Sequence, residues 1–263
     1  MRGSVDRGLI EKAHSEEENN AHKNWRSRNQ ELGTASPAWY GISGGGAGRH
    51  NTVYHHTVRE DGPNQYLMTD QSAEIALARS AAPDSISHDA EVQVLGRHGF
   101  ETAVKGTNGF VCIVGRSWTS AADADFWDPK VRVPMCVNAA AARSYLLRFA
   151  KETEWGLAGL TPAQMTESIT AAIAKKELAA MESGAMCYML SKQGYGGDST
   201  PHWPPHLMFF YTDADLASWG ANLPGSPVVG VNDPVEHLTQ FVVAVQRWSD
   251  GTEYSEGAPV HHH

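Results

Sequence analysis

Cysteine is scarce in this chain: three residues in 263, at positions 112, 136 and 187, with no C-x-x-C pair. That spacing argues against a structural zinc knuckle and against a thioredoxin-type redox pair. No run approaches the ~18 apolar residues of a membrane-spanning helix. Basic residues are outnumbered, 21 Lys and Arg against 30 Asp and Glu, for a formal net charge of −9. A surface with that balance is poorly suited to displacing counterions, so neither nucleic acid nor a membrane is expected as a partner. No Gly-Lys-Ser/Thr follows the glycine-rich stretch, which leaves phosphate-loop nucleotide binding without support. Gly (25) and Pro (13) stand near ordinary usage, so the chain as a whole is neither collagen-like nor low in complexity.

What is present is enough apolar residue, 41%, to bury a core. Residues 1–65 read as a polar extension, linker-like or partly helical, in which Leu9, Ile10, Trp25 and Leu32 are too sparse for a helical stripe. Met1-Arg2-Gly3-Ser4 resembles an expression leader and His261-His262-His263 a tag remnant closing a tail over 255–263. Residues 66–254 have the pattern of one packed domain. Thr69 or Asp70 caps a helix through Glu74, Ile75, Leu77 and Ala78 that Pro83 stops. Strands are expected over 91–95, 100–105 and 110–114, with Asn108-Gly109 as a hairpin turn. Helices follow over 138–150 and 161–178, the second with Thr161 as N-cap and Pro162 at N1. Strands return over 185–190, 206–211, 227–231 and 240–248. The order predicts an α+β fold: a largely antiparallel sheet with two or three packed helices, preceded by the polar extension.

Cys112 falls in an apolar strand, and Cys136 follows Pro134-Met135 at the entrance to a helix. A bridge between them would close a 24-residue interval over the polar loop 117–132; the alternative is two unpaired buried thiols. Cys187 reads as a core thiol, since nothing local supplies a base or a positive field.

Lys105-Gly106-Thr107-Asn108-Gly109-Phe110-Val111-Cys112, Pro134-Met135-Cys136, Ser191-Lys192-Gln193-Gly194-Tyr195 and Pro205-His206-Leu207-Met208 together resemble a group of uncharacterised, typically exported bacterial proteins. The similarity spans 66–254. It implies a periplasmic or secreted origin and the Cys112–Cys136 bridge, and it implies no activity.

Gly41-Ile42-Ser43-Gly44-Gly45 matches G-x-S-x-G, but neither a strand before it nor a helix after it is expected, so the segment reads as linker. The chemistry concentrates in Lys192 to His206, which joins two apolar strands and carries Lys192, Tyr195, Asp198, His202, Trp203 and His206. Its prolines forbid the helical H-E-x-x-H geometry. An extended loop could still bring His202 and His206 to one zinc ion, with Asp198, Asp213 or His237 as third ligand and an open position for water. Lys192 or Tyr195 would then steady the developing oxyanion. The competing reading makes His206 a sheet residue on the face of Met208 and Phe210. His55-His56, His88 and His98 read as solvated, and the pairs Asp123/Asp125 and Asp213/Asp215 lack a calcium-loop pattern. The expectation is an exported, zinc-dependent hydrolase of small-molecule ester or phosphoester bonds. The alternatives are a small-ligand or glycan site lined by Gln193, Tyr195 and Trp203, or a disulfide-braced structural module.

Overall fold

The computed structural model describes residues 62–119, 125–198 and 200–255. The Gly41–Gly45 motif, His55-His56, most of the extension, Asp123, Ser199 and the tail beyond 255 lie outside the described residues. Within them are five helices, α1 (Gln71–Arg79), α2 (Asp84–Ser87), α3 (Ala139–Ala142), α4 (Tyr145–Leu157) and α5 (Pro162–Ala174). Eight strands, β1 (Glu91–Gly96), β2 (Gly99–Val104), β3 (Val111–Gly115), β4 (Val133–Val137), β5 (Met186–Met189), β6 (His206–Tyr211), β7 (Val228–Asp233) and β8 (Leu238–Ala244), form one sheet. Its order is β2-β1-β3-β4-β5-β6-β8-β7, antiparallel throughout except between β1 and β3. The expected α+β class with a largely antiparallel sheet is the one the chain adopts.

Local chemistry sets the helix ends. Asp70 caps α1 by accepting from Ser72 N, and Thr161 with Gln164 forms a complete capping box ahead of Pro162 at the start of α5. The helix expected over 138–150 is broken instead. Asn138 caps α3, whose last turn ends at Arg143, and Ser144, at φ −128 and ψ −75, restarts the chain as α4.

Two strand expectations are corrected. Asn108-Gly109 does not turn a hairpin: β1 and β2 pair through the two-residue loop Arg97-His98, and β3 lies parallel to β1 on its other side. The reason is the crossing of the chain over the start of β1. Asn108 donates to Ile86 O and accepts from Phe110 N, and a Cβ on Gly106 would sit 2.1 Å from Glu91 N. Cys136 lies within β4, a strand the prolyl residue at 134 masks in the sequence, and directly opposite Cys112 on β3. The two form a disulfide with Cα atoms 4.0 Å apart, wholly buried. Cys187 is free and buried, and burial pushes its thiol up to about 12, so it is no nucleophile at neutral pH.

Helices cover both faces. On one, α1 lies over β1, β3 and β4, packing Leu77, Ala78, Ala81 and Ala82 against Val92, Val114 and the disulfide. On the other, Phe149 of α4 fills the space over Gly115, and Tyr145 stacks on Phe210 of β6 at 3.8 Å between centroids. Beside it Tyr66, Leu95, Trp118, Leu157, Met165 and Ile169 form a second cluster.

A fully buried ion pair joins these layers. Arg116, just after β3, donates to Glu74 Oε1 at 2.8 Å, to Tyr66 O at 2.7 Å and to Val114 O; the same Glu74 oxygen accepts from Leu95 N. Removing one partner of such a pair leaves an uncompensated buried charge, a loss of about 3–5 kcal/mol. Urea unfolding of Glu74→Ala at pH 7 is expected to show that loss; a change below ~1 kcal/mol would show the pair to be dispensable.

Candidate functional site

The loop from Lys192 to His206 folds back on itself. Tyr195 exchanges two backbone hydrogen bonds with Arg132, both 2.8 Å. The indole of Trp203 lies against Gly194 and Gly196, where an added Cβ would come within 2.4 and 3.1 Å of it. Lys192 is paired with Asp250 at 2.7 Å; although desolvation pulls upward, that bond and those from Thr252 hold the Asp250 carboxyl at about 2. The Tyr195 hydroxyl donates to Asp198, and this bond, with some burial, raises the phenol well above its ordinary value. His202 donates through Nδ1 to Gly194 O at 3.1 Å, and His206 through Nδ1 to Pro204 O at 2.9 Å. The carbonyl acceptors fix both tautomers.

His206 is buried on the strand face of Met208 and Phe210. Burial pulls its imidazole down to about 4, the Pro204 bond opposing. Asp213 and His237, expected as alternative third ligands, bond to each other at 2.9 Å instead. Among the described residues no group of three or more His, Cys, Asp or Glu side chains gathers as a metal site.

A different place assembles titratable groups around a concavity. A surface concavity of about 380 Å³, open to solvent, is lined by Arg148 of α4, Lys176 after α5, Thr212 after β6, and Glu236 and His237 between β7 and β8. Ile173, Leu178, Ala179 and Ala180 supply its apolar wall. None of the loop 192–206 belongs to this lining.

The backbone here is strained. Four non-glycine residues among those described have left-handed φ; Lys176 (60°) ends α5 in that conformation, its amide and that of Glu177 reaching back to Ile173 O and Ala172 O, while Asp213 (46°) and His237 (50°) are at the cavity or bonded to its lining. Such conformations each cost about 1–3 kcal/mol and cluster at functional sites. Asp233 shapes the β7–β8 turn by accepting from Val235 N and Glu236 N, which carries Glu236 inward.

Arg148 is buried and donates through Nη1 to Glu236 O, with Glu236 Oε2 3.5 Å away. Its Nε has no hydrogen-bond partner, nor has Oε1 of Glu152, one turn further along α4. Desolvation, reinforced by Asp233 and only partly offset by Arg148, raises the Glu236 carboxyl to about 7. Glu152, buried beside Glu236, is raised well above the ordinary carboxyl range, again chiefly by desolvation. A carboxyl with a midpoint near neutrality can accept and return a proton under ordinary conditions. The neighbouring cations can steady negative charge.

Sequence reasoning missed this site because Arg148 and Glu152, at i and i+4, look like a solvated helix pair. The readable signal was phase: Tyr145, Phe149 and Glu152 recur at helical spacing, which places Arg148 and Glu152 within the apolar stripe rather than opposite it.

Comparison with protein-family models, with curated proteins and with solved structures returns no match.

The two shifted groups impose opposite pH dependences on stability. Glu236 holds its proton more tightly folded than unfolded, so its contribution is complete below about 4.5 and is lost as pH rises through about 7. His206 contributes above about 6.5, and that stability is lost as pH falls through about 4. Urea unfolding at pH 5 and pH 8 is expected to show Glu236→Gln gaining stability relative to wild type at the higher pH. His206→Ala should cost about 1–3 kcal/mol at pH 8, the gap narrowing toward pH 4. Parallel curves for wild type and Glu236→Gln would contradict the neutral carboxyl.

Proposed function

We propose that the protein is a hydrolase of small-molecule ester bonds that works in the cavity of Arg148 and Glu236, with Glu236 as the proton-transferring group. The observation that carries the reading is a buried carboxyl, Glu236, lining a concavity beside the buried Arg148 guanidinium, with desolvation raising its proton affinity above the ordinary range. Glu236 would take a proton from the attacking water and return it to the leaving group. The buried Arg148 and, from the exposed edge, Lys176 would offset charge developing on the carbonyl oxygen. Water would serve as nucleophile, the Thr212 hydroxyl of the lining being engaged with Met181 N. The buried Cys112–Cys136 bridge supports an exported protein, because such bonds persist in oxidising compartments.

The test is turnover of a panel of short-chain nitrophenyl esters and phosphoesters. Glu236→Gln is expected to lower kcat by about 100-fold or more, with the folded fraction matched by circular dichroism. His202→Ala separates this reading from a zinc hydrolase built on His202 and His206, keeping turnover under the first and losing it under the second. Undiminished turnover in Glu236→Gln, or no turnover by wild type on any ester, would overturn the proposal.

A further inference from the structure

Arg148 is 4% exposed, lines the cavity, and leaves its Nε without a partner. A buried guanidinium normally spends all its donors, because each one left unmet forfeits the hydration it lost. At Arg116 in the same protein every guanidinium nitrogen has an acceptor. Arg79 Nε is unmet as well, but of the two only Arg148 borders the concavity, which marks it as a donor set with an acceptor still to come. Next to it the wall of Ile173, Leu178, Ala179 and Ala180 offers apolar contact, and Lys176 adds a second cation at the rim.

Deepening the hydrolytic reading, on which it rests, we infer that the cavity takes small carboxylates with an apolar body, the carboxylate on Arg148, and that each binding event takes up one proton onto Glu236.

The proton follows from the charges around Glu236. Arg148 and Glu152 face it from α4, Asp233 from the end of β7, Lys176 from the turn after α5, and His237 with its partner Asp213 from beside it. Two carboxylates on one guanidinium repel, so a bound anion forces Glu236 into its neutral form. Balance is simple: one carboxylate and one proton enter, and no bond is made or broken. A guanidinium prefers a carboxylate for its two parallel oxygens, and the aliphatic wall selects an organic acid over inorganic phosphate.

Calorimetric titration of the full chain with hexanoate at pH 6 and pH 8, each in two buffers of different ionisation enthalpy, tests this. Hexanoate is expected to bind with uptake of about one proton at the higher pH, and with affinity falling about tenfold per pH unit above neutrality. Hexanol and inorganic phosphate should bind at least tenfold more weakly. Glu236→Gln should bind hexanoate with no proton uptake and no such pH dependence. Uptake persisting in that variant would place the proton on another group and overturn the inference, as would absence of hexanoate binding at pH 6. Arg148→Lys, which keeps the charge and loses the fork, should weaken binding at least tenfold; Lys176→Ala, at the rim, serves if that variant fails to fold. Glu236-dependent ester turnover without hexanoate binding would overturn this inference alone. Proton-linked hexanoate binding with full turnover in Glu236→Gln would overturn the hydrolytic reading alone.

Discussion

The Glu74–Arg116 ion pair ties together α1, β1, the end of β3 and the turn at Pro63–Tyr66, and it does so with every guanidinium nitrogen engaged. Two charges removed from water are tolerated only when geometry and supplementary hydrogen bonds make good the lost hydration. Here one carboxylate oxygen serves both the guanidinium and the Leu95 amide, while the remaining guanidinium nitrogens reach main-chain carbonyls. The disulfide one strand away, at Cys112 and Cys136, fixes the β3–β4 register that sets Arg116 in place. The charge pair and the covalent bond thus hold the same part of the sheet, one at its end and one at its middle.

A second buried Arg–Glu arrangement, on α4, is built to the opposite specification. Arg148 meets Glu236 chiefly through a main-chain oxygen, with the carboxylate 3.5 Å away, and both Arg148 Nε and Glu152 Oε1 lack partners. Glu152 and Glu236 are both buried beside this one guanidinium, and desolvation first, then repulsion from each other and from Asp233, lifts their carboxyls above the ordinary range. Natural folds leave few buried polar atoms unmet, and those that persist mark places where function competes with stability. The left-handed backbone at Asp213 and His237 adds strain in the same region. Rigid packing of Tyr145 on Phe210 and Phe149 over Gly115 holds α4 against that cost.

Much of the fold was legible in the sequence because its signals are local. Thr161 with Gln164, Asp70 ahead of α1, and the apolar run Leu207 to Tyr211 of β6 each declare an element without reference to the rest of the chain. What was not legible depends on distant partners. Asn108-Gly109 has hairpin chemistry, yet it anchors a crossing to Ile86, 22 residues away. Val133–Val137 carries a proline, which argues against an interior strand until the partner register is known. The loop 192–206 drew attention by composition, while its Lys192, Tyr195, His202 and His206 are each tied to nearby groups. The cavity residues come from α4, the turn after α5, the end of β6 and the β7–β8 turn, a grouping that only the tertiary fold creates.

The arrangement on α4 requires Glu236 to hold its proton above the ordinary carboxyl range in the folded protein. Carbon-13 NMR of the glutamate carboxyls, followed from pH 4 to pH 9, measures it directly. A carboxyl resonance with a midpoint at about 7 that vanishes in Glu236→Gln is expected. A spectrum in which every glutamate titrates close to the ordinary ~4.3 would contradict it.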